Sequence, residues 1–479
     1  MFCDTLESDY LCRRRLGMFK KYIGDRSFYK KVLIVAVPII IQNAVTNFVG
    51  LLDNIMVGQV GTDQMNGVAI VNQLLFVFNL CIWGAVSGAG IFSVQYFGKG
   101  DNKGVRNTFR AKLILLGIVL IAGLLLFGFF GEALISKFLH ETDGIGNAAV
   151  TLDEGLHYLW IMMVGLLPFA VTSAYSNTLR DIGQTVVPMK AGVTAVFVNV
   201  ILNYILIFGK FGAPEMGVQG AAIATVISRF LEASIVVGWV HTHSDQAEFI
   251  VGAYKSLRIP MALMKQILIK GAPLAINEAL WAMGITMLNQ CYSTRGLAVV
   301  GALNIASTIS NLFNVVFLAL GESVSIIIGQ YLGAGDMEKA KDEDRKLIAF
   351  SVMCSVVIGF LMAMCRKVFP QFYNTQEEVK SLAASFILVT SIMMPFFALL
   401  HASYFTLRTG GKTIITFLFD SVFVWVIAVP IAFVLTHFTS MPILPLYIAV
   451  TCADFIKCTI GVILVKKGVW LQNIVNEIS

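Results

Sequence analysis

The chain has 479 residues, of which 57% are hydrophobic and only 13% charged, with a mean hydropathy of +0.78. Soluble domains carry about 25% charged residues, so this balance excludes a soluble enzyme or binding module and indicates an integral membrane protein. The net charge of +6 does not mark a nucleic-acid binder, because the basic residues sit in short segments between apolar runs.

Residues 1–31 are polar and basic and lack the apolar core of a signal peptide, which predicts a retained cytoplasmic arm. Apolar runs long enough to cross a bilayer, about 20 residues each, then start near residues 32, 65, 109, 154, 187, 217, 268, 298, 345, 380, 413 and 441. The expected fold is an all-α protein of twelve transmembrane helices. With the N-terminus inside, six of the 35 lysines and arginines face out (Lys137, Lys210, Arg295, Arg366, Lys367, Lys380), while Arg229 and Lys457 fall within helices. The rest lie inside, so the positive-inside rule places both termini in the cytoplasm of a plasma (inner) membrane protein. The eight cysteines are scattered, with no C-x-x-C spacing, and indicate neither a zinc site nor a disulfide framework.

The chain repeats itself. AVPIIIQNAV (36–45) matches GAPLAINEAL (271–280), and QYFGKGD (95–101) matches QYLGAGD (330–336), both at an offset of 235 residues. TLRDIGQT (178–185) matches TLRTGGKT (406–413) at 228. The GGKT of the second copy ends like a phosphate-binding loop, but that motif needs a glycine at position 406, where Thr406 stands. It reads as a cytoplasmic turn, so no ATP partner is expected. Two six-helix halves starting on the same side are parallel repeats, a plan in which transporters place their binding site between the halves. The expected division is an arm (1–31), a first lobe (32–241), a cytoplasmic linker (242–267), a second lobe (268–467) and a cytoplasmic tail (468–479).

Ionisable residues inside the spans need a partner or a purpose, since a carboxylate at a helix centre costs about 2.5–3.5 kcal/mol on insertion scales. Asp53 shares a small, polar face of the first helix with Gln42 and Thr46, as expected beside a cavity. Asn199 and Asn203, four apart in the fifth helix, and Thr225 in the sixth offer the oxygen ligands that hard cations prefer. Interhelical hydrogen bonding is the alternative reading for both asparagines, and a purely structural buried carboxylate is the alternative for Asp53. Glu278 lies near the middle of the seventh helix and Asp420 two turns into the eleventh. Asn304, Ser307, Asn311 and Asn314 form a polar stripe on the eighth, which lines a cavity or binds helices together. Arg229 with Glu232, and Asp454 with Lys457, are spaced to neutralise each other on one helix. Tyr158, Trp160, Met162, Met163, Met393, Met394, Phe396, Phe397 and Tyr404 offer ring faces and adaptable thioethers to organic cations. His401 lies one turn from Phe397.

The doubled stretches, with LLDNIMVGQVG, NVILNYILIFG and GVQGAAIAT, resemble a MATE-type multidrug exporter over residues 30–467. The resemblance implies two six-helix lobes in a V and export of bulky organic cations in exchange for Na+ or H+, by a monomer without cofactor. It also implies an ion site at Asp53, Asn199, Asn203 and Thr225, the first three holding the metal ion. Some members carry aspartate where Asn203 stands, which leaves the ion's identity open. The NorM-type branch pairs a carboxylate at the Glu278 position with one in helix ten, where this chain has Phe397, so Asp420 is the candidate replacement. Gln42, Thr46, Asn304, Asn311, Met393, Phe397 and His401 are the candidate substrate-cavity residues. A lipid-linked oligosaccharide flippase of the same superfamily is the alternative function, but its cavity would need to be strongly basic. A membrane-embedded enzyme lacks its motifs here, with no H-E-x-x-H and no G-x-S-x-G.

Overall fold

The computed structural model describes residues 21–138, 147–373 and 375–476, apart from the side chains of Leu51, Asn54 and Thr62. Most of the expected arm (residues 1–20) and the last three residues of the tail lie outside the described residues. With no water in the hydrocarbon, every backbone N–H and C=O must pair within the chain, so apolar runs of this length fold as helices. They are α1 (Arg26–Gly58), α2 (Thr62–Gly98), α3 (Asn102–Ser136), α4 (Ala148–Val164), α5 (Leu166–Asp181), α6 (Val186–Ile207) and α7 (Gly217–Thr242). The second half supplies α8 (Met261–Ser293), α9 (Leu297–Ala334), α10 (Met337–Cys365) and α11 (Glu377–Thr409). It ends with α12 (Thr413–Phe438) and α13 (Ile443–Lys466).

Ten of these are long and apolar enough to cross a bilayer, and α4 with α5 forms an eleventh span bent by 44°. Pro168 explains the bend: it has no N–H to bond the Val164 carbonyl, and its ring crowds that carbonyl. The twelfth span is α8, 33 residues long, in which Lys270, Asn277 and Glu278 lower the hydropathy. In α12 the backbone widens into π-helical turns over Leu418–Val422 and Val424–Ala428. Pro430 follows directly, and wider turns relieve its clash with the carbonyl four residues back.

The described chain forms two compact units. The N-unit holds Ile41–Phe97 and Asp101–Ala279; the C-unit holds the described residues up to Ile40, Gly98–Gly100 and those from Leu280 onward. The divide therefore falls inside α1 and α8. In the C-unit, Phe28, Val32, Val35, Ala36 and Ile39 from the first turns of α1 are buried in one core with Leu320, Val324, Ile327 and Trp470. In the N-unit, the start of α8 lies against α2 so closely that a Cβ on Gly88 would stand 2.5 Å from the Gly271 Cα.

The repeated motifs have a local structural cause. Gly100 and Gly335 take φ of +77° and +80°, a left-handed turn that glycine adopts without strain. The aspartate after each glycine caps the next helix: Asp101 Oδ1 accepts from the Gly104 amide at 2.9 Å and Asp336 Oδ1 from the Lys339 amide at 3.1 Å. Gly183 and Gly411 likewise turn the chain at φ +84° and +74°, so GGKT is a helix terminus. Arg408 beside it lies over the Phe405 ring, 5.4 Å from its centroid. Gly98 is required for a different reason, because a Cβ there would stand 2.0 Å from the Gln330 carbonyl oxygen. Gly98→Ala is expected to force the two segments apart and cost about 1–3 kcal/mol or more, read as a lowered denaturation temperature in detergent.

The segment after α7 is folded onto the N-unit. Arg110 donates to the carbonyls of Ala253 and Gly252, both at 2.8 Å, and Arg106 to that of Phe249 at 3.3 Å. The tail packs onto the C-unit in the same manner, with Trp470 and Ile474 each 1% exposed.

Candidate functional site

In the N-unit, α1, α6 and α7 bring together residues separated by up to 172 positions, Asp53 to Thr225. Asp53 Oδ1 accepts from Asn203 Nδ2 at 2.7 Å. The i, i+4 spacing lets Asn199 and Asn203 share a face of α6, and their amides are 3.2 Å apart. Asn199 also reaches Thr225 Oγ1 at 3.3 Å. Turned so that its nitrogen meets the carboxylate, which the surrounding donors and acceptors favour, the Asn199 amide donates to both Asp53 oxygens, at 3.0 and 3.2 Å. Asn199 and Asn203 are 7% and 1% exposed, so the carboxylate faces buried amides on this side. Among the described residues, Asn203 Oδ1 is buried without a hydrogen-bond partner. Such an atom is costly to leave unpaired, and it sits on the amide that holds Asp53.

The donor set contains one carboxylate, amide oxygens and a hydroxyl. These are hard oxygen ligands suited to Na+, and a single proton would neutralise the same carboxylate. Asn203 Oδ1 is chemically suited to either ion. It can ligate a metal ion, and it can accept a hydrogen bond from a protonated Asp53.

Around this core lie groups that the sequence did not assign to it. Tyr158 is one of the side chains that offer a ring face to organic cations. It is 6% exposed, donates to Asn72 Oδ1 at 3.4 Å, and lies within electrostatic reach of Asp53 and Arg229. Arg229 does not form the expected ion pair with Glu232. Its Nη1 donates to the Gly165 carbonyl at 3.3 Å and its guanidinium lies over the Phe169 ring at 5.0 Å. It thus caps the backbone opened by the α4–α5 bend. Gln42 accepts from Arg180 Nη2 at 2.7 Å, and Thr46 is exposed. A signal for Arg180 was present in TLRDIGQT, but nothing in the sequence linked it to Gln42, 138 residues away.

Glu278 belongs to the N-unit and is half-buried. Asp420 belongs to the C-unit, where its Oδ1 accepts from Lys457 Nζ at 2.5 Å. The expected neighbour pair on one helix, Asp454 with Lys457, is replaced by this pair between α12 and α13. His401 accompanies it on α11, with its Nδ1 2.9 Å from the Phe397 carbonyl and its ring 4.8 Å from that of Phe317. Met393 is buried at 4% exposure, whereas Phe397 is half-buried and Asn304 and Asn311 are exposed. Lys457 and Asp420 have side chains only 10% and 17% exposed. Removing one partner of a pair this buried costs more than removing both. Lys457→Met is therefore expected to lower the denaturation temperature further than Lys457→Met with Asp420→Leu, measured in the same detergent.

This architecture, twelve spans with an oxygen-lined carboxylate site in one of two repeated units, is that of a secondary transporter. The MatE family model matches residues 38–205 and 273–434, and the chain belongs to that family. It is 24% identical over 468 residues to the "Probable multidrug resistance protein NorM" of Thermotoga maritima, covering 96% of this chain and 98% of that one. It is 23% identical to the "Probable multidrug resistance protein YoeA" of Bacillus subtilis, covering 89% and 91%. Among solved structures, an outward-facing multidrug resistance MATE transporter of the MOP superfamily superposes with a TM-score of 0.83 at 17% identity, over 94% of this chain and 97% of that one. A variant of the Vibrio cholerae MATE transporter VcmN also gives 0.83 at 17%, over 92% and 97%. The protein is a multi-pass plasma-membrane transporter of the MATE family, not an enzyme.

Proposed function

We propose that the chain is a multidrug efflux antiporter that exports organic cations in exchange for Na+ or H+ by alternating access, working as a monomer without ATP. The observation that carries this reading is the orphaned Asn203 Oδ1 beside the Asp53 carboxylate. While Asp53 is ionised, the two amides donate to it. Binding of Na+ would draw the carboxylate, the Thr225 hydroxyl and the amide oxygens onto the ion, which requires the Asn203 amide to present Oδ1. Protonation of Asp53 has the same consequence, because a carboxylic acid O–H needs an acceptor where the ionised group had a donor. Either ion therefore rearranges the contacts between α1 and α6 and removes one negative charge. Na+ and H+ compete for one site. The relatives' printed names support a multidrug substrate class, and the single carboxylate suits exchange of one monovalent ion.

The test uses purified protein in liposomes loaded with a fluorescent organic cation such as ethidium. An inward Na+ gradient at equal pH, or an inward proton gradient without Na+, is imposed, and efflux is followed. Export driven by at least one gradient is expected, and each ion should reduce the effect of the other. Absence of export with both gradients, from protein that remains folded, would overturn the reading. Scrambling of a lipid-linked oligosaccharide by the same liposomes would replace it with the flippase.

A further inference from the structure

On the cytoplasmic side of the C-unit, two lysines converge on one tyrosine. Lys31 Nζ donates to the Tyr331 hydroxyl at 3.1 Å and lies 4.2 Å from the ring centroid; Lys339 Nζ lies 5.1 Å from the same centroid. Both ammonium groups can be no more than the sum of those distances apart. Among the described residues, neither forms an ion pair with a carboxylate within 4.0 Å. Of the acidic residues on the same helix, Asp336 caps α10 and Asp342 and Glu343 pair with Lys346, while Glu338, adjacent in sequence to Lys339, forms no ion pair with it among the described residues. Because Lys31 donates to the tyrosine oxygen, the phenolic O–H is left pointing away as a further donor. Three donors and two positive charges thus gather around one partly exposed spot.

The internal repeat shows that the fold does not need these charges. At the offset of 235, Tyr331 corresponds to Tyr96, Lys339 to Gly104 and Lys31 to Gln266. The tyrosine is kept, and Gly104 lies directly against its ring, where a Cβ would stand 2.2 Å from it. Both lysines are thus additions to a motif that packs without them. Their depth is set by the chain: Lys31 stands one residue before the first apolar run, Tyr331 near the end of α9 and Lys339 in the first turn of α10. Directly beyond Lys31, α1 exposes Leu33, Ile34 and Val37, at 45%, 52% and 39%. A charged head zone is followed by an exposed apolar strip on the same helix.

We propose that Lys31, Lys339 and the Tyr331 hydroxyl form a headgroup site for an anionic phospholipid of the cytoplasmic leaflet. The phosphodiester lies between the two ammonium groups and accepts from the phenol, while an acyl chain runs along Leu33, Ile34 and Val37. Basic residues at this surface attract anionic lipid by about 1 kcal/mol each, and tyrosine is at home at headgroup depth. The proposal is independent of which ion or drug the protein transports.

The experiment is native mass spectrometry of the full chain from mixed phosphatidylcholine and phosphatidylglycerol bilayers. Wild type, Lys31→Gln, Lys339→Gln, the double variant and Lys31→Arg are compared, with Lys190→Gln, an exposed lysine of the N-unit, as a charge control. Retained phosphatidylglycerol is expected to fall about five-fold for each lysine removed, from the 1 kcal/mol above, and to stay near wild type in Lys31→Arg and Lys190→Gln. Phosphatidylcholine retention should not change. Equal retention of both lipids by the wild type, undiminished phosphatidylglycerol on the double variant, or an equal loss in Lys190→Gln would each overturn the site. Both lysines are at least partly exposed, and matching denaturation curves in pure phosphatidylcholine confirm that the variants are folded.

Discussion

Asp53→Asn is expected to abolish ion-driven export while leaving the protein folded. The amide is the same size as the carboxylate and can still pair with Asn203 and Asn199, whose side chains touch Asp53 at 2.7 and 3.0 Å. What it lacks is a charge that an ion can neutralise. With one-for-one exchange, a tenfold ion gradient can sustain at most a tenfold drug gradient, about 1.4 kcal/mol, and the variant should sustain none. Binding of ethidium to the purified variant should persist but lose its dependence on Na+ and on pH. The measurement is a paired one, with gradient-driven efflux from liposomes and equilibrium fluorescence titration at several Na+ concentrations. Undiminished efflux by Asp53→Asn would move the coupling site to Glu278 or to the Asp420–Lys457 pair. Loss of folding instead of loss of coupling would support the purely structural reading of Asp53.

Lys112→Met is expected to destabilise the N-unit more than most single changes. Lys112 is fully buried and donates to Asp181 Oδ2 at 2.6 Å and to Thr178 Oγ1 at 3.0 Å, with Asp181 itself 5% exposed. Methionine fills a similar volume but leaves the Asp181 charge buried without its ammonium, at a cost of about 3–5 kcal/mol. Lys112→Met with Asp181→Leu removes both charges and should recover much of the loss. Thermal denaturation of the three variants in one detergent decides it, and equal midpoints for the single and double variants would show that the pair is not coupled. The second repeat indicates why such a test is informative. At the matching place it has Asp344 accepting from Thr406 at 2.6 Å, with Leu347 where Lys112 stands. With Leu347 for Lys112 and Thr409 for Asp181, the second copy thus packs the same region without the ion pair, and its Thr406 instead meets a carboxylate from a different position.

Much of this molecule was legible in its residues. Hydropathy located all twelve spans because the bilayer sets both their length and their need for internal hydrogen bonding, a constraint local to each segment. The GGKT turn was legible, and the doubled glycine–aspartate motif, seen in the sequence only as a repeat, has an equally local cause, since left-handed glycines and capping aspartates act within four residues. The i, i+4 spacing of Asn199 and Asn203 also placed them correctly on one face.

The pairings of charges were a different matter. Asp454 and Lys457 are spaced to pair on one helix, yet Lys457 reaches Asp420 on another; Arg229 bypasses Glu232 for the carbonyl exposed at Gly165. A long cationic side chain in a dry interior pairs with whichever acceptor packing brings into line with it, a carboxylate for Lys457 and a backbone carbonyl for Arg229, and spacing along one helix does not decide which. The bond from Tyr158 to Asn72 was hidden for the same reason, since an aromatic residue on a helix reads alike whether it faces drug, lipid or a buried asparagine. The sequence by itself determined the spans, the repeat and the presence of an intramembrane carboxylate, because each depends on local chemistry and the bilayer. Tertiary structure alone decided which buried groups meet and which oxygen is left over at Asp53, because those outcomes depend on helices distant in the chain coming within 3 Å of one another.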